Sequence, residues 1–446
     1  MAAETGTAQV GEILARWTSE GIRYVRFELP DMHGNSRSKL IPIGKAAGYA
    51  KEGLNMYGGA GVLDTRSDVV AGTLYNEEVA YGDQRLQPDP DTALVVPWAE
   101  STARFVCDSV WDDGTLLEAL PRHVFRRVLD RCRELGYEPV LGYEPEFYLL
   151  DAETHELLFE GYHIFNTVRN TYVPFVQELV ELMDEAGLGI ITANCEYAGS
   201  QWEINFDPGA GLAGPDKAFT FKNGVKELAH SSGLLATFMS KPFSDSAGSG
   251  CHTHVSLLDS GSGENAFADG SDPDGISALC RSFVAGQLEH ARAAYALLAP
   301  TVNCLKRRRT HTFSPTNVSW GPEDRSALVR IKGGSIESRH VEHRAPTAMA
   351  NPYLAGAAVL GAGLLGIEGE LALEPAATAP AEEDESKPKL PTTVHESLAA
   401  LEEDEAFRGL LGDEFVSAYT AMRRHELQRF DDHVSDWELE EYLEIH

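Results

Sequence analysis

The sequence predicts an α+β protein with a small β-rich N-terminal domain and a larger domain that mixes strands with long helices. Of its 446 residues, 43% are hydrophobic and 9% are aromatic, a composition that can bury a sizeable core. Residues 23–29 alternate in polarity, as half-buried strands do, whereas the apolar positions of residues 117–135 recur at helical spacing. Because the period changes in this region, we place a boundary near residue 108 and predict domains of residues 1–108 and 109–446.

The predicted N-terminal domain consists of short extended segments joined by loops. Turn-forming residues at 31–34 separate the strand at 23–29 from an extended run at 39–43. Residues 54–84 contain several glycines and little periodicity, which predicts a long loop. Residues 92–98 complete the domain as a short strand that ends at a proline.

The second domain is predicted to alternate strands and helices irregularly, without an internal repeat. Strands are expected at residues 140–150, 189–194, 235–238 and 251–258, and helices at residues 174–186, 216–231 and 276–299. Two acidic segments of small residues, 259–274 and 374–389, are predicted surface loops because they offer no core face. Residues 394–446 are predicted to be helical.

Charge and apolar runs exclude several classes of partner. Asp and Glu number 69 against 37 Lys and Arg, which gives a net charge of −32. Phosphate surfaces attract clustered cations, so we expect neither a nucleic-acid nor a membrane partner. The longest apolar run, residues 354–367, is too short to span a bilayer, and a cytoplasmic protein is predicted. The acidic surface fits either a high-salt cytoplasm or an ordinary acidic protein.

Two carboxylates are expected on one face of a single strand. Glu144 and Glu146 are two residues apart within the predicted strand at 140–150, so their side chains point the same way. If they are buried together, one must take up a proton unless a dication neutralises the pair. A solvated strand face is the alternative.

Further candidate metal ligands lie on other predicted strands. Glu196 and Glu203 flank a strand break at Gly199, His252 and His254 share one strand face, and Glu342 follows later in the chain. A His-x-His pair between glycines is often structural. A set in which carboxylates outnumber imidazoles suits Mg²⁺ or Mn²⁺ better than Zn²⁺.

An arginine-rich region follows these acids. The basic run 306–309 is isolated in an acidic chain, and Arg325, Arg330 and Arg344 follow it downstream. Arginine forks bind phosphates and carboxylates in a bidentate manner. The acidic residues and the arginines together predict a site that binds metal ions and a nucleotide.

Six motifs together resemble those of the glutamine synthetase family in order and spacing. They are Glu144-Pro145-Glu146-Phe147, Glu196 to Glu203, Gly248 to Ser256, Asn303 to Arg307, Asn317 to Ala327, and Glu342 to Leu354. The resemblance covers about residues 15–445. It implies a β-grasp-like N-terminal domain and a large catalytic domain with a curved antiparallel sheet and helices. It also implies a homo-oligomer, a dodecamer of two hexameric rings, with active sites between subunits.

The resemblance implies a role for each matching residue. Glu146, Glu196 and Glu203 match ligands of a first metal that faces glutamate, and Glu144, His252 and Glu342 match ligands of a second metal that holds ATP. Gly248, Arg307 and Arg344 match positions that bind glutamate, as do the first-metal ligands Glu146 and Glu196. His254 and Ser256 match nucleotide-binding positions, and Arg325 and Arg330 match the arginines at the transferred phosphoryl group. The implied cofactors are ATP and two or more Mg²⁺ or Mn²⁺ ions per site.

Two positions depart from the family pattern. Tyr57 stands where the family has an aspartate that binds ammonium, and Phe313 stands where it has a glutamate. An aromatic pocket offers apolar area and ring faces that attract an alkylammonium. We therefore predict a glutamate–amine ligase whose amine is larger than ammonia. The alternatives are an ordinary glutamine synthetase and a non-catalytic regulatory or structural paralogue.

Overall fold

A computed structural model describes residues 2–272, 274–378 and 380–446, and it confirms the predicted mixture of sheets and helices. The first sheet consists of β1 (Tyr24–Pro30), β2 (Ser36–Pro42), β3 (Leu54–Tyr57), β4 (Asp83–Pro88), β5 (Leu94–Val95) and β6 (Thr102–Val110). Its order is β2-β1-β6-β4-β3, with β5 also paired to β6. β1 and β2 are antiparallel, and the Asp31 carboxylate closes their turn by accepting from the backbone N–H groups of His33 and Asn35.

The second sheet carries most of the predicted site residues. It consists of β7 (Tyr137–Asp151), β8 (Ile190–Cys195), β9 (Gln201–Phe206), β10 (Gly209–Ala210), β11 (Leu234–Thr237), β12 (Cys251–Asp259), β13 (Trp320–Pro322), β14 (Val329–Lys332) and β15 (His340–His343). Its main order is β13-β14-β15-β12-β7-β9-β8, and β10 and β11 also pair with β7. Its neighbours are antiparallel except β13 and β14.

Helices pack on the sheets and also form the C-terminal part of the chain. They are α1 (Ala2–Ser19), α2 (Ile43–Glu52), α3 (Pro121–Glu134), α4 (Thr167–Asn170), α5 (Phe175–Glu185), α6 (Ala213–Ser231), α7 (Ala278–Glu289), α8 (Ala291–Leu298), α9 (Val302–Arg307), α10 (Pro352–Glu368), α11 (Val394–Glu403), α12 (Glu405–Leu411), α13 (Asp413–Asp431) and α14 (Asp436–Tyr442). The strands and helices predicted beyond residue 115 therefore form close to their expected places.

The long apolar run becomes the buried helix α10. A side chain on Gly363 would overlap the Phe283 ring, and one on Gly366 would lie 2.1 Å from the Ser282 carbonyl oxygen of α7. Glycines at these positions let α7 and α10 approach closely. None of the helices among the described residues is both long enough and apolar enough to span a membrane.

The N-terminal predictions were partly wrong. Residues 2–19 and 43–52 form α1 and α2 rather than strands and loops, because Val10, Leu14 and Trp17 share one face of α1 and bury it. Trp17 contacts the ring of Phe105 on β6 at a centroid distance of 4.8 Å. The strand expected at 92–98 shrinks to β5, and β6 was not predicted.

Three other expectations also need correction. The ends of the predicted loop 54–84 pair as β3 and β4. The helix predicted at 276–299 divides at His290, whose Nδ1 lies 2.7 Å from the Asp404 carboxylate. In the segment predicted to be a surface loop, Ala381 is fully buried and its carbonyl accepts from Asn317.

Candidate active site

Cross-strand pairing brings the predicted ligands of the second sheet together. Glu146 on β7 lies opposite Glu203 on β9, and Glu144, two residues earlier, lies opposite His252 on β12. Since residues two apart on a strand share one face, these four side chains form a row across three strands. The strand register therefore explains why the spacing in the sequence places these acids in one site.

The row continues across β15 and β14. Glu342 on β15 lies opposite both His254 on β12 and Arg330 on β14. The Arg330 guanidinium donates to Glu342 at 3.0 Å and to Glu323 at 2.6 Å, and it is 5% exposed. Arg330 is thus held in place on β14, at one end of this row of side chains.

Glu144, His252 and Glu342 have the geometry of a cation site. One ligand atom from each lies within 4.8 Å of the others, and His252 Nδ1 is 3.4 Å from Glu144 and 3.7 Å from Glu342. Burial and the nearby Arg344 charge lower the pKa of His252 to about 4, so its imidazole is neutral at pH 7. A neutral imidazole between two carboxylates fits a hard dication.

The charges of these two carboxyl groups are stabilised. Burial opposes ionisation of Glu144, yet His254 and His252 outweigh it and hold the pKa of Glu144 well below its usual range. His254 Nε2 lies 3.0 Å from the Glu144 carboxylate. Burial likewise opposes ionisation of Glu342, but His252 and Arg344 lower its pKa to about 2.

The other three glutamates form a cluster that lacks such compensation. Burial and the neighbouring Glu146 raise the pKa of Glu196 to about 8, and burial and Glu144 raise the pKa of Glu203 to about 9. Burial also raises the pKa of Glu146, although the Arg307 charge opposes it. Ionising these three carboxyl groups together is therefore unfavourable in the metal-free protein. Among the described residues, ligand atoms lie within 4.8 Å of one another in the group of Glu144, His252 and Glu342 and not in this one.

Two glycines allow Arg307 to approach this cluster. A Cβ on Gly248 would lie 2.5 Å from Arg307 Cγ, and one on Gly250 would lie 2.6 Å from Arg307 Nη2. The Gly250 N–H donates to the Glu146 carboxylate at 3.0 Å, and Arg307 Nη2 lies 3.4 Å from His252 Nε2. The arginine and the backbone thus contact both groups of ligands.

The remaining predicted residues differ in their positions. Arg344 follows β15, is buried, and donates to Glu342. Ser256 is half-buried on β12, two residues beyond His254. Arg325 lies exposed in the turn before β14, unlike the buried Arg330.

The two predicted amine-pocket residues lie in different parts of the fold. Tyr57 ends β3 in the first sheet, where its carbonyl accepts from Gln84. Phe313 lies in the loop after α9, with a positive φ of 55° and 45% exposure, and its carbonyl accepts from Arg344 at 3.4 Å. Within the described parts of the chain, no hydrogen bond or ring contact joins Tyr57 to Phe313.

Sequence reasoning assigned no role to two residues at the site. The Gln201 amide donates to Glu146, to the Gly248 carbonyl and to Ser249. It therefore links the glutamate cluster to the segment that precedes β12. Tyr197, directly after Glu196, stacks on Phe313. The signal for Tyr197 was an aromatic residue at a strand end beside a candidate ligand.

Comparisons with known proteins agree with this geometry. Residues 118–442 match the family model described as the glutamine synthetase catalytic domain. The glutamine synthetase of Halobacterium salinarum is 33% identical, over 96% of this chain and 94% of that protein. A γ-glutamylethanolamide synthetase of Streptomyces coelicolor is 34% identical, over 98% and 96%. A solved structure described as a GmaS/ADP complex superposes with a TM-score of 0.86, at 28% identity and with 97% and 99% coverage.

The chain therefore belongs to the glutamine synthetase family of ligases, as the motifs predicted. The fold confirms the predicted class in its mixed sheets and helices. Members of this family use glutamate, ATP, divalent metals and ammonia or an amine.

Proposed function

We propose that this protein is an ATP-dependent ligase that joins the γ-carboxylate of L-glutamate to an amine larger than ammonia. The observation that carries the proposal is Phe313, an exposed aromatic ring fixed beside the acidic cluster through Arg344, at the position of a family carboxylate. An ammonium ion requires acceptors and a base at this position, whereas a ring favours an organic substituent. The ethanolamide product in the name of one relative supports a larger amine.

In this proposal each cluster has a separate task. Glu146, Glu196 and Glu203 hold a metal ion that faces glutamate, and Glu144, His252 and Glu342 hold a second that faces the ATP phosphates. When bound, Mg²⁺ or Mn²⁺ ions neutralise the negative charge that develops during phosphoryl transfer. His254 and Ser256 contact the nucleotide.

The buried arginines orient the reactants. Gly248, Arg307 and Arg344 bind glutamate, and Arg325 and Arg330 stabilise the transferred phosphoryl group. The hydrogen bonds that Arg330 donates to Glu342 and Glu323 fix the orientation of its guanidinium group before substrate binds. Arg325 lies exposed in the turn before β14, whereas Arg330 is buried.

The reaction proceeds in two displacements. A γ-carboxylate oxygen of glutamate attacks the γ-phosphorus of ATP, the bond to the β-phosphate oxygen breaks, and ADP leaves. The amine nitrogen then attacks the carbonyl carbon of γ-glutamyl phosphate, the carbon–oxygen bond to phosphate breaks, and the proton lost by the nitrogen passes to the departing phosphate.

Tyr57 supports a shared site between subunits. It lies on the first sheet, whereas Phe313 lies in the loop after α9, and no described hydrogen bond or ring contact joins the two. We infer that Tyr57 reaches the site of a neighbouring subunit in a homo-oligomer, a dodecamer of two hexameric rings. Residues 1–108 would then form the domain that a neighbour uses, and residues 109–446 the catalytic domain.

An amine screen tests this function. Phosphate release would be measured with ATP, L-glutamate and Mg²⁺ against ammonia, alkylamines, polyamines and anilines. We expect an organic amine to give the highest kcat/KM, and Phe313→Glu to weaken turnover of that amine while raising turnover of ammonia. Highest rates with ammonia would instead identify an ordinary glutamine synthetase. ATP binding without phosphate release would identify a non-catalytic paralogue.

A further inference from the structure

A carboxylate outside the candidate metal site holds the buried arginine of β14. Glu323 directly follows β13, and its carboxylate accepts a hydrogen bond from Arg330 Nη2 at 2.6 Å. The other Glu323 oxygen accepts from the backbone N–H of Gly333, the residue directly after β14. One carboxylate therefore ties the guanidinium group to the end of the strand that carries it.

The backbone around Glu323 is shaped for this contact. Glu323 has a positive φ of 54°, which is strained for a residue with a side chain, and such strain concentrates at functional sites. Its N–H donates to the Ile331 carbonyl at 3.1 Å. A Cβ on Gly333 would lie 2.5 Å from Glu323 Oε1, so a larger residue there would displace the carboxylate. The Gly333 N–H lowers the pKa of Glu323 and outweighs burial, and Arg330 lowers this pKa further.

Arg330 has two carboxylate partners, and only one of them belongs to the candidate cation site. Its Nη1 donates to Glu342 at 3.0 Å, and Glu342 forms that site with Glu144 and His252. Glu342 oxygens that bind a dication are weaker acceptors for Arg330, because the ion compensates their negative charge. Glu323 lies outside that group of ligands, so its bond to Arg330 persists when the site is filled.

Arg330 also keeps a donor for a ligand. Its Nε is buried and has no hydrogen-bond partner among the described residues. A buried N–H without an acceptor is unfavourable, and an anionic oxygen is a strong acceptor for it. The side chain of Arg330 is 6% exposed and that of Glu323 is 54% exposed, so solvent screens the carboxylate more than the guanidinium group. Glu323 thus orients Arg330 without cancelling its charge toward a ligand.

We propose that Glu323 is a positioning residue for phosphoryl transfer, which keeps Arg330 directed at the γ-phosphoryl group of ATP while Glu342 binds a metal ion. This inference rests on the proposed function, in which Arg330 stabilises the transferred group. Glu323 acts through Arg330 and not by contact with substrate. Its removal should therefore impair recognition and transfer of the γ-phosphoryl group, and it should spare the binding of ADP and of the amine.

Nucleotide affinities test this assignment without turnover. Calorimetry in Mg²⁺ would compare ADP with the β,γ-imido analogue of ATP, which carries the γ-phosphoryl group and resists its transfer. In Glu323→Ala, we expect the affinity for the analogue to fall roughly tenfold and the affinity for ADP to stay within about twofold. Equal losses for the two nucleotides would overturn the proposal, because general damage to the site affects both.

A single turnover measures the chemical step. With enzyme in excess over ATP, and with glutamate and the preferred amine present, rapid quenching gives the rate of ADP formation. Glu323→Ala should slow this rate roughly 10- to 100-fold, as a misplaced catalytic group does, while KM for the amine changes little. Glu323→Gln should slow it less, because the amide oxygen still accepts a hydrogen bond. A wild-type rate in Glu323→Ala would refute the assignment.

Two further variants separate position from folding. Gly333→Ala keeps the charge of Glu323 but displaces its carboxylate, so it should share the selective loss of affinity for the analogue. Glu337→Gln changes an exposed glutamate in the turn between β14 and β15, and it should keep wild-type values. Urea unfolding verifies that each variant is folded. A folded Gly333→Ala with wild-type affinities would count against the role of the carboxylate.

The outcomes distinguish this inference from the proposed function. Absence of phosphate release by the wild type with every amine would overturn the proposed function, whereas the two nucleotide affinities would still report on Glu323. An active wild type whose Glu323→Ala variant matches Glu337→Gln in both assays would overturn only the inference about Glu323.

Discussion

Two regions of this protein bury carboxylates, and they differ in how the charge is balanced. Around the buried Arg122, the carboxylates of Asp108, Asp89 and Asp216 accept hydrogen bonds at 2.6, 2.7 and 2.9 Å. We call this set the Arg122 network. In the glutamate cluster of Glu146, Glu196 and Glu203, burial and mutual repulsion instead raise each pKa. A network that is neutralised within the chain holds the fold together, whereas an unneutralised cluster indicates a ligand from outside.

The Arg122 network also connects parts of the chain far apart in sequence. Asp89 and Asp108 belong to the region of the first sheet, Arg122 begins α3, and Asp216 lies on α6. Burial opposes ionisation of Asp108, but the nearby His123 imidazole, 3.7 Å from the carboxylate, and the charges of Arg122 and Arg126 hold the pKa of Asp108 below its usual range. The network therefore fixes the first sheet against the helices of the second.

Removing Arg122 should give the largest effect. Arg122→Met removes a buried cation from three partly buried carboxylates, of which Asp108 keeps a close second partner in Arg126, and we expect a loss of about 3–5 kcal/mol in the free energy of unfolding. Urea unfolding at fixed protein concentration measures it. Arg131→Met is the matched control, because Arg131 pairs with Glu134 and Glu368 but is 43% exposed, so its removal should cost far less than that of Arg122. Equal losses in the two variants would contradict the comparison.

Removing an ionisable group from the glutamate cluster should stabilise the metal-free protein, whereas removing Arg122 destabilises the protein. Because Glu203 must take up a proton on folding at neutral pH, Glu203→Gln removes that cost, and the metal-free protein should gain about 1–3 kcal/mol in unfolding free energy at pH 7. Activity should fall roughly 100-fold or more, because a metal ligand is lost. Phosphate release and urea unfolding in chelator give the two values. Glu134→Gln, an exposed control, should change neither, and a destabilised Glu203→Gln would assign this cluster a structural role.

The pH dependence of stability separates the two regions as well. The folded pKa values of Glu196 and Glu203, about 8 and 9, exceed the ordinary value of 4.5, so the folded metal-free protein binds extra protons in that interval. This contribution to stability is complete below about pH 4.5 and is lost as pH rises through 8 to 9, at up to about 1.4 kcal/mol per unit and group. Asp108 acts oppositely, since its contribution is present above its ordinary pKa of 3.8 and is lost as pH falls.

Unfolding curves between pH 3 and 9 check these signs. In the metal-free protein, the advantage of Glu203→Gln should grow as pH rises, and the deficit of Arg122→Met should shrink below about pH 4. Saturating Mg²⁺ should flatten the alkaline loss in wild-type protein. A metal-free wild type whose stability rises steadily from pH 5 to 9 would refute the assignment of the glutamate cluster.

The sequence anticipated the glutamate cluster better than the Arg122 network for a physical reason. Glu144 and Glu146 share a strand face at a spacing that can be read directly, and β7 and β12 were placed within a few residues. The register that sets His252 opposite Glu144 follows from the fold alone. Arg122 and Asp216 are 94 residues apart on two helices, and no local pattern marks their contact.

The missed elements have local causes too. Helices α1 and α2 are rich in Ala and Gly, which weakens their periodic signal, and both gain stability from packing on the first sheet. Tyr197 was missed because its partner Phe313 lies more than a hundred residues away. The departures at Tyr57 and Phe313 were visible in the motifs, but the sequence did not place Tyr57 on β3 of the first sheet.

The exposed charges of the protein surface can be compared with the two regions above. We expect them to have the smallest effect on the free energy of unfolding. The chain carries a net charge of −32, most of it outside the two buried regions. Salt shortens the Debye length from about 10 Å at 0.1 M to about 3 Å at 1 M, which weakens repulsion between exposed charges more than interactions between buried ones. In metal-free protein, raising NaCl over this range should therefore increase the unfolding free energy by about 1 kcal/mol. Arg122→Met should gain the same increment as wild type, because its lost contacts are buried. A larger gain in the variant would mean that salt ions neutralise the orphaned carboxylates, and a fall in both proteins would show that surface repulsion is negligible in this chain.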